Sequence, residues 1–169
     1  MNLGGLPPNA QSEVRTGLGW DTHRLGWGYP LIIGGVPLPT DRGLVGHSDA
    51  DVLSHAITDA LLGAAALGDI GMLFPDSDPQ WKGADSAVFL REAARRVREL
   101  GFTITHIDST VILERPKLKD YRRAIRENLA RTLEIDLDRV SVKFKTHERV
   151  GPVGELRSAE AQAIATITR

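Results

Sequence analysis

The hydrophobic period of this chain switches repeatedly between that of a strand and that of a helix, which restricts the possible folds more than any other feature. Val14, Thr16, Leu18 and Trp20 alternate with Arg15, Gly17, Gly19 and Asp21 in a period of two. The short apolar run Leu31-Ile32-Ile33 ends at Gly34-Gly35, which predicts a hairpin leading to Pro37 and Pro39. From Ser48 the pattern becomes helical. Ser48 is the expected N-cap, Asp49 and Asp51 fall in the first turn, and Leu53, Ile57, Ala60, Leu61 and Ala64 form an apolar stripe that stops at Gly68. A loop rich in Gly, Pro and Asp (Asp69 to Gly83) precedes a second helix over 86–100. Leu90, Ala94 and Val97 face inward there, and Glu92 pairs with Arg96 outside. After Gly101 a strand is predicted over 102–113, then a helix over 118–133 behind Pro116, then strands over 139–146 and 159–168. This order predicts an α/β fold, an α+β sandwich with helices packed on one face of a mixed β-sheet. Ala159, Ala161, Ala163 and Ala165 give the last strand a flat side, expected to pack closely against something, with another subunit as one candidate.

With 169 residues and 41% hydrophobic content the chain suits one domain, expected over 13–169, with 1–12 as a loose Gly/Pro/Asn-rich tail lacking the basic and apolar regions of a leader. A net charge of -1 leaves no broad basic field for nucleic acid, and no run approaches the ~20 apolar residues that span a bilayer. A cytoplasmic protein without nucleic-acid or membrane partners is expected. There is no cysteine, so metal ligands must be His, Asp or Glu.

Asp21 and His23 lie two apart at the predicted end of the first strand, so both leave on the face opposite Leu18 and Trp20. His55 sits on the first helix beside its apolar stripe, in line with Asp51 and Asp59. If that helix packs beside the strand, the three groups converge. Two imidazoles and a carboxylate suit Zn²⁺ and leave one tetrahedral position open, as in a catalytic site. Asp-x-His pairs are nonetheless common, and a helical His near an Asp is often only a solvated pair, so spacing alone leaves both readings open.

His47-Ser48-Asp49-Ala50-Asp51 lies at the predicted helix N-terminus, where N–H groups, the Ser48 hydroxyl and the His47 imidazole can hold a phosphate, or where Ser48 simply caps. Asp69-Ile70-Gly71 and Phe74-Pro75-Asp76-Ser77-Asp78 can orient substrate hydroxyls or make Asx turns. Lys143 to Glu148 ends a strand. Glu148 suits Mg²⁺ shared with phosphates, and Lys145 and Thr146 suit phosphate oxygens, though a solvated strand end would look the same.

Taken together, Gly19 to His23, Ile33 to Val36, His47 to Asp51, the block Thr58 to Asp78 (TDALLGAAALGDIGMLFPDSD), Lys82 to Ser86 and Lys143 to Glu148 resemble the 2-C-methyl-D-erythritol 2,4-cyclodiphosphate synthase family over about residues 15–169. The resemblance implies a homotrimer with sheets facing the three-fold axis and active sites between subunits. It matches Asp21, His23 and His55 to one zinc ion per subunit, and Glu148 to Mg²⁺ or Mn²⁺ held with the substrate diphosphate. His47 and Thr146 match residues that steady the reacting phosphates. Asp21, Thr22, His23, His47 and Ser48 fall in its substrate-binding segments. Asp69, Ile70, Gly71 and Phe74, Pro75, Asp76, Ser77, Asp78 match the wall around the methylerythritol phosphate. Pro116 and Lys117, with Lys145, Thr146, His147 and Glu148, match the neighbouring subunit's pocket for the cytidine diphosphate.

The implied reaction is attack of the substrate's own 2-phosphate on the β-phosphorus, with release of CMP, so positioning and charge stabilisation carry the catalysis. Two departures stand out. Lys145 replaces the family's usual Thr. The stretch Gly151-Pro152-Val153-Gly154-Glu155-Leu156-Arg157-Ser158 puts Pro152 and Glu155 where the family has an aromatic and a basic residue, around an axial cavity that holds isoprenoid diphosphates in some members. An acidic Glu155 would repel such a ligand. Two rivals remain beside the cyclase: a zinc-dependent phosphohydrolase using a bound water, and a non-catalytic oligomeric module stabilised by a closed four-ligand zinc site.

Overall fold

The structure, a computed structural model, describes residues 12–75 and 77–169. The expected tail therefore lies outside the described residues, except for Ser12. Among the described residues, seven strands and five α-helical segments follow in the order β1 (Val14–Trp27), β2 (Leu31–Ile33), β3 (Val36–Leu38), β4 (Arg42–Val45), α1 (Val52–Ala64), α2 (Ile70–Leu73), α3 (Ala87–Glu99), β5 (Thr103–Ile112), α4 (Arg122–Leu133), β6 (Val140–Lys145), α5 (Gly151–Gly154) and β7 (Ser158–Thr168). Five strands form a mixed sheet in the order β4-β1-β7-β5-β6, in which only β5 and β6 run parallel. β2 and β3 make the predicted hairpin. Gly34 and Gly35 turn it at φ +58° and +73°, the conformation a two-residue turn of this hand demands.

The sheet's inner face is unusually flat along β1 and β7. Gly17 and Gly19 pair with Ala165 and Ala163, and Asp21 and His23 with Ala161 and Ala159. A Cβ on Gly17 or Gly19 would run into the carbonyls of Ala60 and Ala56, so α1 lies directly on this floor. The alanine side of β7 is thus covered by the chain's own helix and not by another subunit, and all four alanines are buried. With both flanks also covered, α1 is buried nearly all round: Leu53, Ile57, Ala60, Leu61 and Leu62 have no exposed surface.

Alternation turns the even residues of β1 the other way. Leu18 is 70% exposed and Trp20 52%, and Leu18 pairs with the half-exposed Ile164 of β7. The opposite face of the sheet is therefore bare and partly apolar in the single chain.

Two local expectations need correction. The first strand does not end near Asp21; it continues to Trp27 because β4 extends its pairing from Arg24 to Trp27, so Asp21 and His23 lie within it. Nor does Ser48 open the first helix. Its N-cap is Asp51, whose carboxylate accepts from the N–H groups of Leu53 and Ser54, the Ser54 hydroxyl, and the N–H groups of Gly34 and Gly35. A buried acceptor holding the hairpin turn and the helix start together outcompetes the more exposed serine. The predicted Asp69–Gly83 loop contains α2 and a 3₁₀ turn over Pro79–Trp81, capped by Asp69 and Asp78.

Candidate metal centre

Because α1 rests on β1 without intervening side chains, His55 meets the strand at Asp21 and His23. Asp21 Oδ2 lies 3.0 Å from His23 Nε2 and 3.0 Å from His55 Nδ1, and the two imidazole nitrogens are 3.2 Å apart. The outer nitrogens are engaged elsewhere. His23 Nδ1 lies 3.1 Å from the Val45 carbonyl, which can only accept, so this nitrogen carries the proton and Nε2 keeps its lone pair. His55 turns Nε2 toward the hydroxyls of Ser86 (2.8 Å) and Ser48 (3.2 Å). With the His55 proton on Nε2, three electron-pair donors face one another at hydrogen-bond distance. Neutral imidazoles and a carboxylate repel in such a triangle unless a cation lies between them, so the donor set fits a divalent metal. Burial pushes the Asp21 carboxyl up, but the hydrogen bonds and positive charge that His23 and His55 supply whenever they carry an extra proton outweigh it and hold it below the ordinary carboxylate range. A metal cation would act in the same direction.

The triad opens into a cavity of about 470 Å³ lined also by His47, Ser48, Ile70, Gly71, Phe74 and Pro75. Among the described residues, His47 Nε2 is the buried side-chain nitrogen left without a hydrogen-bond partner. A helix N-terminus is not what faces the cavity here. Asp49 accepts the N–H of Asp51, and Ser48 that of Ala50, so the backbone donors of the turn are consumed internally. The His47 ring and the Ser48 hydroxyl remain.

Other predicted residues are placed differently. Thr22 alternates to the outer face, where its hydroxyl donates to the Ala159 carbonyl at 3.3 Å. Asp69 accepts from Met72 N–H at 2.9 Å and Asp78 from Gln80 N–H at 3.0 Å, both in capping roles beside the cavity wall. Ser77 is exposed, and Asp76 lies outside the described residues. Pro116, Lys117, Lys145, Thr146 and Glu148 line a second cavity of about 390 Å³ with Lys119, Arg122 and Phe144. It sits by β6, separated from β1 by β7 and β5, so one chain does not bring Thr146 or Glu148 to the triad. Thr146 Oγ1 donates to Glu148 Oε1 at 2.6 Å, and His147 is exposed, its N–H held by Glu114 at 3.1 Å.

Sequence reasoning missed Gly46, Trp81 and Phe89 in the first cavity. Phe74, Trp81 and Phe89 form an aromatic cluster with centroids 4.6–5.6 Å apart, and Phe89 lies 6.0 Å from the His55 ring. The available signal for Phe89 was its spacing, three residues after Ser86 and four before Ala93, beside the buried stripe of α3.

Fold and site together define an α/β protein with three donors that could hold a metal ion at the base of a cavity; among the described residues no fourth His or acidic group joins the three. Residues 14–168 match the model of the YgbB family. The chain is 68% identical over 158 residues to 2-C-methyl-D-erythritol 2,4-cyclodiphosphate synthase of Solibacter usitatus (strain Ellin6076), covering 94% of this chain and 99% of that one. A solved structure of 2C-methyl-D-erythritol-2,4-cyclodiphosphate synthase superposes with a TM-score of 0.84 at 44% identity, covering 90% of this chain and 99% of that chain. Another, in a CDP-bound form, superposes equally well at 43% identity with the same coverage. The chain belongs to the YgbB family.

Proposed function

We propose that this protein converts 4-diphosphocytidyl-2-C-methyl-D-erythritol 2-phosphate to 2-C-methyl-D-erythritol 2,4-cyclodiphosphate and CMP, acting as a phosphorus–oxygen lyase of isoprenoid precursor synthesis. The observation that carries this reading is the triangle of Asp21, His23 and His55, open on one side to a cavity beside the unpartnered His47 nitrogen. An open three-donor site suits chemistry on a bound ligand better than a closed structural site does. Strong similarity to named cyclodiphosphate synthases over nearly the whole chain supports the same reaction.

In this reading Asp21, His23 and His55 hold zinc, and Glu148 holds magnesium or manganese with the substrate diphosphate. When bound, these cations neutralise charge on the phosphates under attack and on the leaving group. A 2-phosphate oxygen attacks the β-phosphorus, the bond from that phosphorus to the bridging oxygen breaks, and CMP departs with that oxygen. The nucleophile is ionised at neutral pH, so the protein supplies no base. His47 and Thr146 donate to phosphate oxygens, with Ser48 beside them. Ile70, Gly71, Phe74 and Pro75, with the Asp69 and Asp76–Asp78 segments, wall in the methylerythritol portion. Phe74, Trp81 and Phe89 keep that wall dry.

The second cavity, with Pro116, Lys117, Lys145 and Thr146, takes the cytidine diphosphate of a neighbouring copy's site. A homotrimer with sheets toward its axis joins the two half-sites, and the bare face carrying Leu18, Trp20 and Ile164 supports it. Lys145 adds a positive charge beside the phosphates. In the axial region Glu155 pairs with Arg157 at 2.8 Å and leaves a poor host for an isoprenoid diphosphate. Purified protein incubated with the diphosphocytidyl substrate and Mg²⁺ should give a cyclic diphosphate and CMP by phosphorus NMR. Two open-chain phosphate products would instead support a phosphohydrolase, and no turnover a non-catalytic module.

A further inference from the structure

Ser86 occupies the N-cap position of α3, yet its hydroxyl caps no N–H of that helix. It is fully buried and points at two groups, the Asp49 carboxylate, which it contacts through Oδ1, and His55 Nε2 at 2.8 Å. Asp49 comes from the turn before α1, so three separate segments meet at one buried hydroxyl. Resting on the reading that Asp21, His23 and His55 hold a divalent cation, we propose that Asp49 and Ser86 form a positioning relay that fixes the tautomer and orientation of His55, aiming its Nδ1 lone pair at the metal.

The proton inventory at Ser86 leaves one arrangement. An ionised carboxylate accepts and cannot donate, so the single Ser86 hydroxyl proton goes to Asp49. The Ser86 oxygen is then the acceptor for His55, which must carry its proton on Nε2. In a neutral imidazole the other nitrogen, Nδ1, is left as the lone-pair donor facing Asp21. Asp49 is itself held in place. Its Oδ2 accepts the Ser86 N–H at 3.1 Å, and its own N–H donates to the Ala84 carbonyl at 3.0 Å. Ser48 contacts the same imidazole nitrogen at 3.2 Å, but its oxygen also accepts from Ala50 and has no carboxylate behind it. A hydrogen-bonded partner on the far nitrogen fixes ring orientation and raises ligand basicity, and loss of such a partner typically weakens metal binding about 10–100-fold.

The competing explanation is that Asp49 and Ser86 merely tie two loops together. Two measurements on the full chain separate these. Zinc affinity is read by competition with a chromophoric chelator for the unsubstituted protein, Ser86→Ala, Ser86→Thr and Asp49→Asn. Nitrogen-15 imidazole NMR of the zinc-loaded unsubstituted protein reports which His55 nitrogen is protonated and which is bound to the metal. The relay predicts a proton on Nε2, a rise in the zinc dissociation constant of about 10–100-fold for Ser86→Ala, and a smaller one for Ser86→Thr and Asp49→Asn, which retain an acceptor or hydroxyl. A His55 proton on Nδ1 overturns the proposal, as does a folded Ser86→Ala protein whose zinc affinity stays within about twofold. The NMR result decides the question even where Ser86→Ala does not fold. Failure of the unsubstituted protein to take up zinc would instead count against the metal centre itself, and with it the relay that serves it.

Discussion

Asp59 shares a helix face with His55 one turn earlier, and its carboxylate accepts the Ile70 N–H at 2.7 Å, tying α1 to the start of α2. Burial pushes its carboxyl up, against that N–H, with nearby Asp69 and Asp21 adding to the rise. A raised carboxyl binds its proton more tightly in the folded state, so its contribution to stability is present at acid pH. It is lost as pH rises from the ordinary aspartate range through the raised folded value. Asp59→Asn, which keeps an acceptor for Ile70, should therefore unfold at a higher temperature than the unsubstituted protein at neutral pH, with the gap closing in acid. Thermal melts across pH test this, and an unchanged gap at all pH values would contradict it. Asp59→Ala should instead release the Ile70 anchor and raise KM about 3–10-fold, measured by steady-state kinetics. At this scale the sequence was most legible where alternation decides a direction. Asp21 and His23 had to share a face. Ser86 and Asp49 were unreadable, because their roles exist only once two loops distant in sequence have met.

The pairing of β1 with α1 carries the site. Gly17 and Gly19 let the helix approach the strand closely enough for His55 to meet Asp21, so packing geometry and ligand geometry are one feature. Gly19→Val should push α1 off the sheet, with a stability loss of about 3 kcal/mol or more from overpacking against backbone. Zinc should bind more weakly even in the fraction that stays folded, as denaturant melts combined with chelator competition would show. Normal zinc affinity in this variant would mean that the contact does not set the triad. The helices and long strands were legible because their periods are strong. The N-cap was misread since Ser48 and Asp51 both suit the position, and only the hairpin turn at Gly34 and Gly35, brought in by tertiary packing, selects Asp51. The alanine face was misread for a related reason: a flat strand face shows that something approaches closely but not which element does.

For the whole molecule, the separation of the two cavities across the sheet makes a lone chain an incomplete enzyme under the proposed reaction. The residues of the second cavity were recognisable only by resemblance, since nothing in their own spacing links Thr146 or Glu148 to Asp21. Leu18→Glu combined with Trp20→Glu places charge on the bare sheet face without touching either cavity. Sedimentation should show this variant as monomers that retain zinc and have lost turnover. A fully active monomer would remove the need for a neighbouring copy. The claim on which the rest depends is that Asp21, His23 and His55 close around one cation, and anomalous diffraction at the zinc absorption edge tests it most directly. One peak per chain is expected, within about 2.0–2.2 Å of Asp21 Oδ2, His23 Nε2 and His55 Nδ1. Zinc-supplied crystals in which these atoms turn away from one another, with no peak between them, would contradict it.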